Sequence, residues 1–274
     1  MQPEWKKYNQ YHIEVDASQD DKATEIMLCN FTRPHMRAFH CSWIAFFVAF
    51  FVWFAITPLL PEIQESLGLT KQDIWTSNIA NVTGTIFMRF LLGPLCDKLG
   101  PRVLYTAVLI ISAIPTACIG FVHGVKGFTT IRLFIGLAGG TFVMCQYWTS
   151  IMFTNEIVAT ANGLVGGWGN LGAGVTQLFI GTLLFPLFKE MFKDTENPAE
   201  NAWRTVSIVP ATMALIAAVV VYKYSDDTPK GNFSELKQNG SMAEPSAIQS
   251  FRKGLYNFNT WLLFIQYGCC FGVE

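Results

Sequence analysis

The sequence predicts an all-α polytopic membrane protein, and three observations lead to that prediction. Apolar residues make up 51% of the 274 residues, charged residues make up only 14%, and phenylalanine alone occurs 23 times. Apolar segments of roughly 20 residues, enough for one helix to cross a bilayer, recur along the chain. Inside the apolar run 79–94 lies Arg89. Because arginine keeps its proton, this residue must face a partner, water or an anionic ligand.

Six complete apolar segments follow one another and are called spans 1 to 6: 42–60, 73–95, 103–122, 129–153, 160–185 and 205–222. A seventh begins near Thr260 and runs to Glu274. The predicted organisation is an N-terminal segment (1–41), a six-span bundle (42–222), a linker (223–259) and the start of a second bundle, truncated at residue 274 (260–274).

The N-terminal segment is polar and contains no short apolar core followed by a cleavage site, so we expect span 1 itself to direct insertion. Lysine and arginine near the ends of spans accumulate on the cytoplasmic side. One side of the predicted bundle carries most of them: Lys6, Lys7, Lys22, Arg33, Arg37, Lys98, Arg102, Lys223, Lys230, Lys237, Arg252 and Lys253. The other side carries Lys71, Lys126, Lys189 and Lys193. The predicted N-terminus is therefore cytoplasmic.

The segment 225–259 begins DDTPKGNF and continues rich in Ser, Gly and Pro without a hydrophobic period. This composition is typical of a flexible linker, which we expect on the cytoplasmic side between two six-span halves. The net charge of −1 gives no indication of a nucleic-acid partner. The cysteine spacing matches no zinc site, and we expect no cofactor.

Helical phase indicates where the polar side chains of span 2 point. At 100° per residue, Asn78, Thr85 and Arg89 fall on one stripe, with Asn81 close by. We therefore expect a water-facing surface on span 2. Arg89 lies deep in the span, about two-thirds of the way from Asp73 to the following turn, and is our first candidate for direct substrate contact.

Spans 4 and 5 each carry a stripe of small and polar residues. The stripe of span 4 contains Arg132, Gly136, Gly139, Gln146 and Ser150; that of span 5 contains Gly163, Gly167, Asn170 and Gly174. Small residues let helices approach closely, so we expect the glycines to form packing seams, with Gly167 and Gly174 permitting helix movement. Arg132 lies near a helix end and is expected to snorkel or to bond to a neighbouring helix. For Asn170, packing and substrate contact remain open.

The turn after span 2 reads Gly93-Pro-Leu-Cys-Asp97-Lys-Leu-Gly100-Pro-Arg102. It resembles the G-x-x-x-D-x-x-G-x-R motif that the major facilitator superfamily carries between spans two and three. Gly100 suits a strained tight turn. Asp97 is expected to pair with Arg102 or to cap the following helix.

Further segments resemble one family within that superfamily. The run 166–172, GGWGNLG, looks like the signature of the nitrate/nitrite porter family. RPHMRAFHCSW, CQYWTS, DDTPKGNF and YGCCFGVE look like segments of the high-affinity nitrate transporters of plants, algae and fungi. The resemblance implies a twelve-span fold of two six-helix bundles, alternating access and proton-coupled nitrate uptake. It also implies a plasma-membrane location, nitrite as a further substrate, and an accessory single-span protein. The family's substrate arginine falls on Arg89, and its signature asparagine falls on Asn170.

The chemistry of nitrate agrees with an arginine site. Nitrate is planar and offers only acceptors, and a guanidinium presents a planar fork of donors. Asn170 would add an amide donor, Gln146 lies on the polar face of span 4, and Trp148 or Tyr267 would form an aromatic wall. These five residues are the predicted substrate-binding set.

Proton coupling has one candidate. Spans 1 to 6 contain no deeply placed carboxylate, whereas Glu274 lies about fifteen residues into the seventh segment, roughly 22 Å along a helix. At such a depth its proton affinity would be raised by desolvation. The alternative is a permanent ion pair with an arginine such as Arg132.

Three other interpretations of the whole chain are open. The first is transport of another small or organic anion on the same fold. The second is a seven-span receptor, which the loop motif disfavours. The third is a half-length paralogue that regulates and does not transport. The sequence after Glu274 would separate them, because a transporter needs five further spans and a second arginine.

Overall fold

The computed structural model describes residues 6–242, 252 and 254–273. Within them, six stretches of helix have the length and apolar composition needed to cross a membrane: His35–Ser66, Lys71–Leu99, Pro101–Phe121, Val125–Met152, Val158–Met191 and Pro198–Tyr224. Each coincides with one predicted span, so the predicted all-α bundle of six spans is confirmed. A further helix, Phe258–Val273, follows at the position of the predicted seventh segment.

Several spans consist of consecutive helical pieces. They are His35–Phe54, Thr57–Leu59 and Leu60–Ser66 in span 1; Pro101–Cys118 and Ile119–Phe121 in span 3; Val125–Ile135, Gly136–Gly140 and Thr141–Met152 in span 4; Val158–Leu178, Phe179–Leu184 and Phe185–Met191 in span 5; and Pro198–Val206 and Ile208–Tyr224 in span 6. Outside the spans lie strands β1 (Val15–Asp16) and β2 (Lys22–Ala23), a short turn of helix (Ala17–Gln19) and the helix Phe233–Gln238.

The ends of span 2 follow from local sequence. At its start, Thr70 and Asp73 form a capping box, in which the Asp73 amide donates to Thr70 Oγ1 at 3.2 Å and the Thr70 amide donates to Asp73 Oδ2 at 2.9 Å. At its end, Gly100 has φ 84°, and Pro101 opens span 3. A glycine followed by proline at the first helical position is the expected stop and restart signal.

Span 1 packs against spans 5 and 6, span 2 packs against span 4, and span 3 packs against span 6. Glycines permit the closest approaches. Gly84 lies against the Leu133 carbonyl, and Gly136 lies against the Asn81 carbonyl, so the backbones of spans 2 and 4 nearly touch.

The packing seam of span 5 differs from the predicted one. Gly169 faces the ring of Phe46, and Gly172 faces the Phe47 carbonyl of span 1. A Cβ built on Gly163, Gly167 or Gly174 meets no atom within 4 Å among the described residues. These three glycines lie open among the described residues, because span 1 packs on the other side of the helix, and their role as a packing seam stays a prediction.

The segment after span 6 is folded from residue 225 to 242, contrary to the expectation of a flexible linker. Asp226 and Asp227 are buried, and a capping box between Asn232 and Glu235 starts the helix Phe233–Gln238. The N-terminal segment packs beside it, with the Lys7 amide donating to the Lys230 carbonyl at 2.8 Å. The acidic pair and the capping residues, which a composition-based interpretation overlooked, supply the contacts that order this segment.

Candidate functional site

Arg89 is half-buried on the flank of span 2, and its Nε and Nη2 atoms are shielded from solvent. Its guanidinium carbon lies 5.7 Å from the ring centroid of Tyr267 in the helix Phe258–Val273. The Tyr267 ring in turn stacks on Phe142 of span 4, with centroids 5.4 Å apart and an interplanar angle of 21°. The guanidinium thus lies against the Tyr267 ring, which is backed by Phe142, and cation–π attraction holds it there.

Of the two predicted aromatic walls, the structure brings only Tyr267 to Arg89. Trp148 is fully buried, and its Nε1 donates to the backbone carbonyl of Asp226 at 3.0 Å. The indole therefore anchors the segment after span 6, and its assignment to the anion slot is corrected. Phe142 supplies the second ring. The sequence offered a weak signal for it, since Phe142 lies four residues before Gln146, one helical turn away on the same face.

Gln146 and Asn170 occupy different surroundings. Gln146 Nε2 lies 3.4 Å from the Asn162 carbonyl and close to Gly166, so it sits at the contact between spans 4 and 5. The Asn170 side chain is exposed on the open stripe of span 5. An amide on an open face remains accessible to a ligand or to another helix.

Two residues of the polar stripe of span 2, Asn78 and Thr85, form hydrogen bonds to span 4. Thr85 Oγ1 donates to the Gly136 carbonyl at 2.7 Å, and Asn78 Oδ1 accepts a hydrogen bond from Arg132 Nη2. The predicted water-facing surface is therefore corrected to an interhelical contact for these residues. The expected bond from Arg132 to a neighbouring helix is confirmed.

The turn after span 2 depends on a carboxylate that the motif does not contain. Asp227 Oδ1 accepts from the Arg102 amide at 2.9 Å, and Asp227 Oδ2 lies 3.7 Å from Arg102 Nε. Burial raises the pKa of the Asp227 carboxyl, although hydrogen bonds from the Arg102 and Phe233 amides oppose that shift. Asp227 therefore performs both roles predicted for Asp97.

Asp97 faces a cavity instead. Together with Gly93 and Pro94 of span 2 and Tyr147 of span 4, it lines a space of about 550 Å³ that extends to Trp261 and neighbouring residues of the chain before and within the helix Phe258–Val273. The lining is mostly apolar, and Asp97, Tyr147 and Thr260 contribute polar groups to it.

Two further predictions concern metals and protons. Among residues 6–242, 252 and 254–273, no group of three or more His, Cys, Asp or Glu side chains is arranged to hold a metal ion. Glu274, the predicted proton carrier, lies outside the described residues.

A bundle of six apolar spans with a tight loop between the second and third defines a polytopic membrane protein. The sequence profile of the Major Facilitator Superfamily matches residues 42–273, and the chain belongs to that superfamily. Members of this superfamily are transporters and not enzymes.

Relatives of the chain include curated nitrate transporters. It is 38% identical to the high-affinity nitrate transporter 2.3 of Oryza sativa subsp. japonica over 264 residues, which are 96% of this chain and 50% of that protein. It is 38% identical to the high affinity nitrate transporter 2.5 of Arabidopsis thaliana, over 96% of this chain and 51% of that protein. It is 31% identical to the nitrate/nitrite transporter NrtP of Nostoc punctiforme, over 78% and 42%. The chain spans about half the length of the curated relatives it matches.

Among solved structures, a bacterial homolog of the human lysosomal transporter Spinster, inward-facing and unoccupied, superposes with a TM-score of 0.61. The sequence identity is 15%, and the match covers 77% of this chain and 50% of that one. At this identity the likeness supports the fold alone.

Proposed function

We propose that this protein carries nitrate, with nitrite as a further substrate, across a membrane by alternating access. The observation that carries the proposal is the position of Arg89, a half-buried guanidinium deep in span 2 beside Tyr267, in a chain 38% identical to nitrate transporters. An arginine inside an apolar span marks a candidate anion site, and a small planar anion matches its fork of donors.

Arg89 binds the anion in this proposal. Two parallel N–H groups of the guanidinium fork donate to two nitrate oxygens, a geometry that an ammonium cannot reproduce. Tyr267 and Phe142 form a flat wall beside the fork. Asn170 approaches from the open face of span 5 and adds an amide donor to the remaining oxygen.

Uptake is coupled to protons, and Glu274 is the proposed carrier because spans 1 to 6 contain no deep carboxylate. The protein resides in the plasma membrane with its N-terminus in the cytoplasm. The contacts Lys7 to Asp226 at 3.0 Å and Lys237 Nζ to the Lys98 carbonyl support this orientation, since they gather three lysine-bearing segments at one end of the bundle. An accessory single-span protein is the further partner implied by the relatives' family.

A different small or organic anion is the second candidate substrate. The guanidinium of Arg89 favours it as well, because the planar fork of an arginine binds a carboxylate with the same paired hydrogen bonds.

Expression of the complete reading frame in a host that lacks nitrate uptake tests the proposal. Labelled nitrate should accumulate, nitrite should compete, and larger carboxylates should not. Accumulation should rise as external pH falls. Absence of nitrate uptake by protein present in the membrane would refute the function, and stronger competition by an organic anion would favour the second candidate.

A further inference from the structure

Arg132 is the most deeply buried charge in the described part of the membrane bundle. The residue is 2% exposed, and its Nη2 donates a hydrogen bond to Asn78 Oδ1. The Nε and Nη1 atoms are buried and have no hydrogen-bond partner among the described residues. The neutral amide of Asn78 accepts a hydrogen bond from one donor of the guanidinium, but it does not compensate the positive charge.

The surroundings of Arg132 do not supply the missing negative charge. No ion pair among the described residues includes it. An unpaired buried cation is costly, so an arginine kept in this state inside a membrane span marks a functional site. Its unpartnered Nε and Nη1 donors require an acceptor, which an oxyanion supplies.

Arg132 and Asn78 lie close to one end of the bundle. Asn78 and Arg132 each stand seven residues from the start of their spans, Lys71 and Val125, and these two starts lie at the same end. Arg132 is buried, but Asn78 is only half-buried, so the guanidinium lies one side chain beneath the surface. The exposed Lys71 and Lys126 stand at that end and would attract anions.

Asn78 also lies on the same face of span 2 as Arg89. Asn78 and Arg89 are eleven residues apart, which places them within about 20° of each other around span 2 and roughly 16 Å apart along it. The Asn78 carboxamide oxygen occupies the position that an oxygen of a bound oxyanion would take on Arg132.

We infer that Arg132 and Asn78 form a second anion-binding site, which receives a small planar monoanion when the Asn78 carboxamide swings away from the guanidinium. The inference rests on the proposed nitrate transport and adds an entry site to it, upstream of Arg89. Nitrate binds first at Arg132 and then moves along span 2 to the deeper arginine.

The test replaces Asn78 by a tethered anion. In Asn78→Asp the new carboxylate pairs with Arg132, which compensates the buried charge and occupies the site at once. The matched control is Gln72→Glu, which makes the same amide-to-carboxylate change on an exposed residue of the same helix. Both variants of the complete reading frame are compared with the wild type for membrane abundance and for nitrate uptake against concentration.

Asn78→Asp should reach the membrane and should raise the KM for nitrate by about tenfold or more, with the maximal rate within about twofold of wild type. Gln72→Glu should change the KM by less than about twofold, because solvent screens its charge. Equal KM values for the two variants would overturn the inference and leave Arg132 a structural residue.

A second variant decides the matter if Asn78→Asp does not reach the membrane. Asn78→Ala removes the competing amide, so it should accumulate normally and lower the KM for nitrate; an unchanged or higher KM overturns the inference. Failure of the wild type to take up nitrate would instead refute the proposed function, so the two failures are distinguishable.

Discussion

Replacement of Gly100 by alanine should destabilise the bundle, because two separate costs meet at this residue. Its φ of 84° and ψ of 151° lie in a region that only glycine occupies readily. An alanine there costs about 1–3 kcal/mol in backbone strain. A Cβ on Gly100 would also lie 2.6 Å from Asp227 Oδ1, so the carboxylate must move.

The displaced carboxylate would weaken its bonds to two backbone amides, those of Arg102 at 2.9 Å and Phe233 at 3.2 Å. A hydrogen bond to a charged group contributes about 1.5–3 kcal/mol, and partial loss of the pair costs on the order of 2 kcal/mol. The combined loss is therefore about 3–5 kcal/mol. At roughly 2–4 °C per kcal/mol, the melting temperature should fall by at least about 6 °C.

Thermal unfolding of the purified protein in detergent measures this loss, with Gly93→Ala as the matched control. Gly93 lies in the same motif, inside the helix of span 2, and a Cβ there meets no atom within 4 Å among the described residues. The control should keep or slightly raise the melting temperature, since alanine favours helix over glycine. Equal melting temperatures for Gly100→Ala and wild type would refute the role assigned to Asp227.

Three further predictions concern the substrate arginine, the seam of span 5 and the buried carboxylate. Arg89→Lys should keep membrane abundance but lose most nitrate uptake, because lysine lacks the donor fork; near-normal uptake would exclude Arg89 as the anion ligand. Gly172→Leu should prevent recovery of monodisperse protein, whereas Gly174→Leu should not, since only Gly172 faces a backbone carbonyl; equal yields would contradict the packing seam. Burial raises the pKa of Asp227 above its ordinary value of 3.8, so its ionised form costs stability at neutral pH and the cost disappears as the pH falls through the raised pKa. The melting temperature of wild type minus that of Asp227→Asn should therefore increase as the pH is lowered from 7 towards 4, and a difference independent of pH would contradict the shift.

The sequence by itself determined the spans and the superfamily. Hydrocarbon accepts only long apolar helices with satisfied backbones, so about 20 apolar residues identify a span wherever it packs. Arg89 was identifiable for the same reason, as a charge in a segment that excludes charge. The motif from Gly93 to Arg102 indicated a tight turn, because its glycines and proline act on the local backbone.

Only the tertiary structure decided which partner each polar residue meets. Helical phase placed Asn78 and Thr85 on one face, but phase does not say whether water or span 4 covers that face. For the same reason helical phase did not show that Trp148 anchors the segment after span 6, that Gly169 and Gly172 face span 1, or that Asp227 binds Arg102. These contacts join residues more than 50 positions apart, and the local pattern of a helix carries no information on its neighbours.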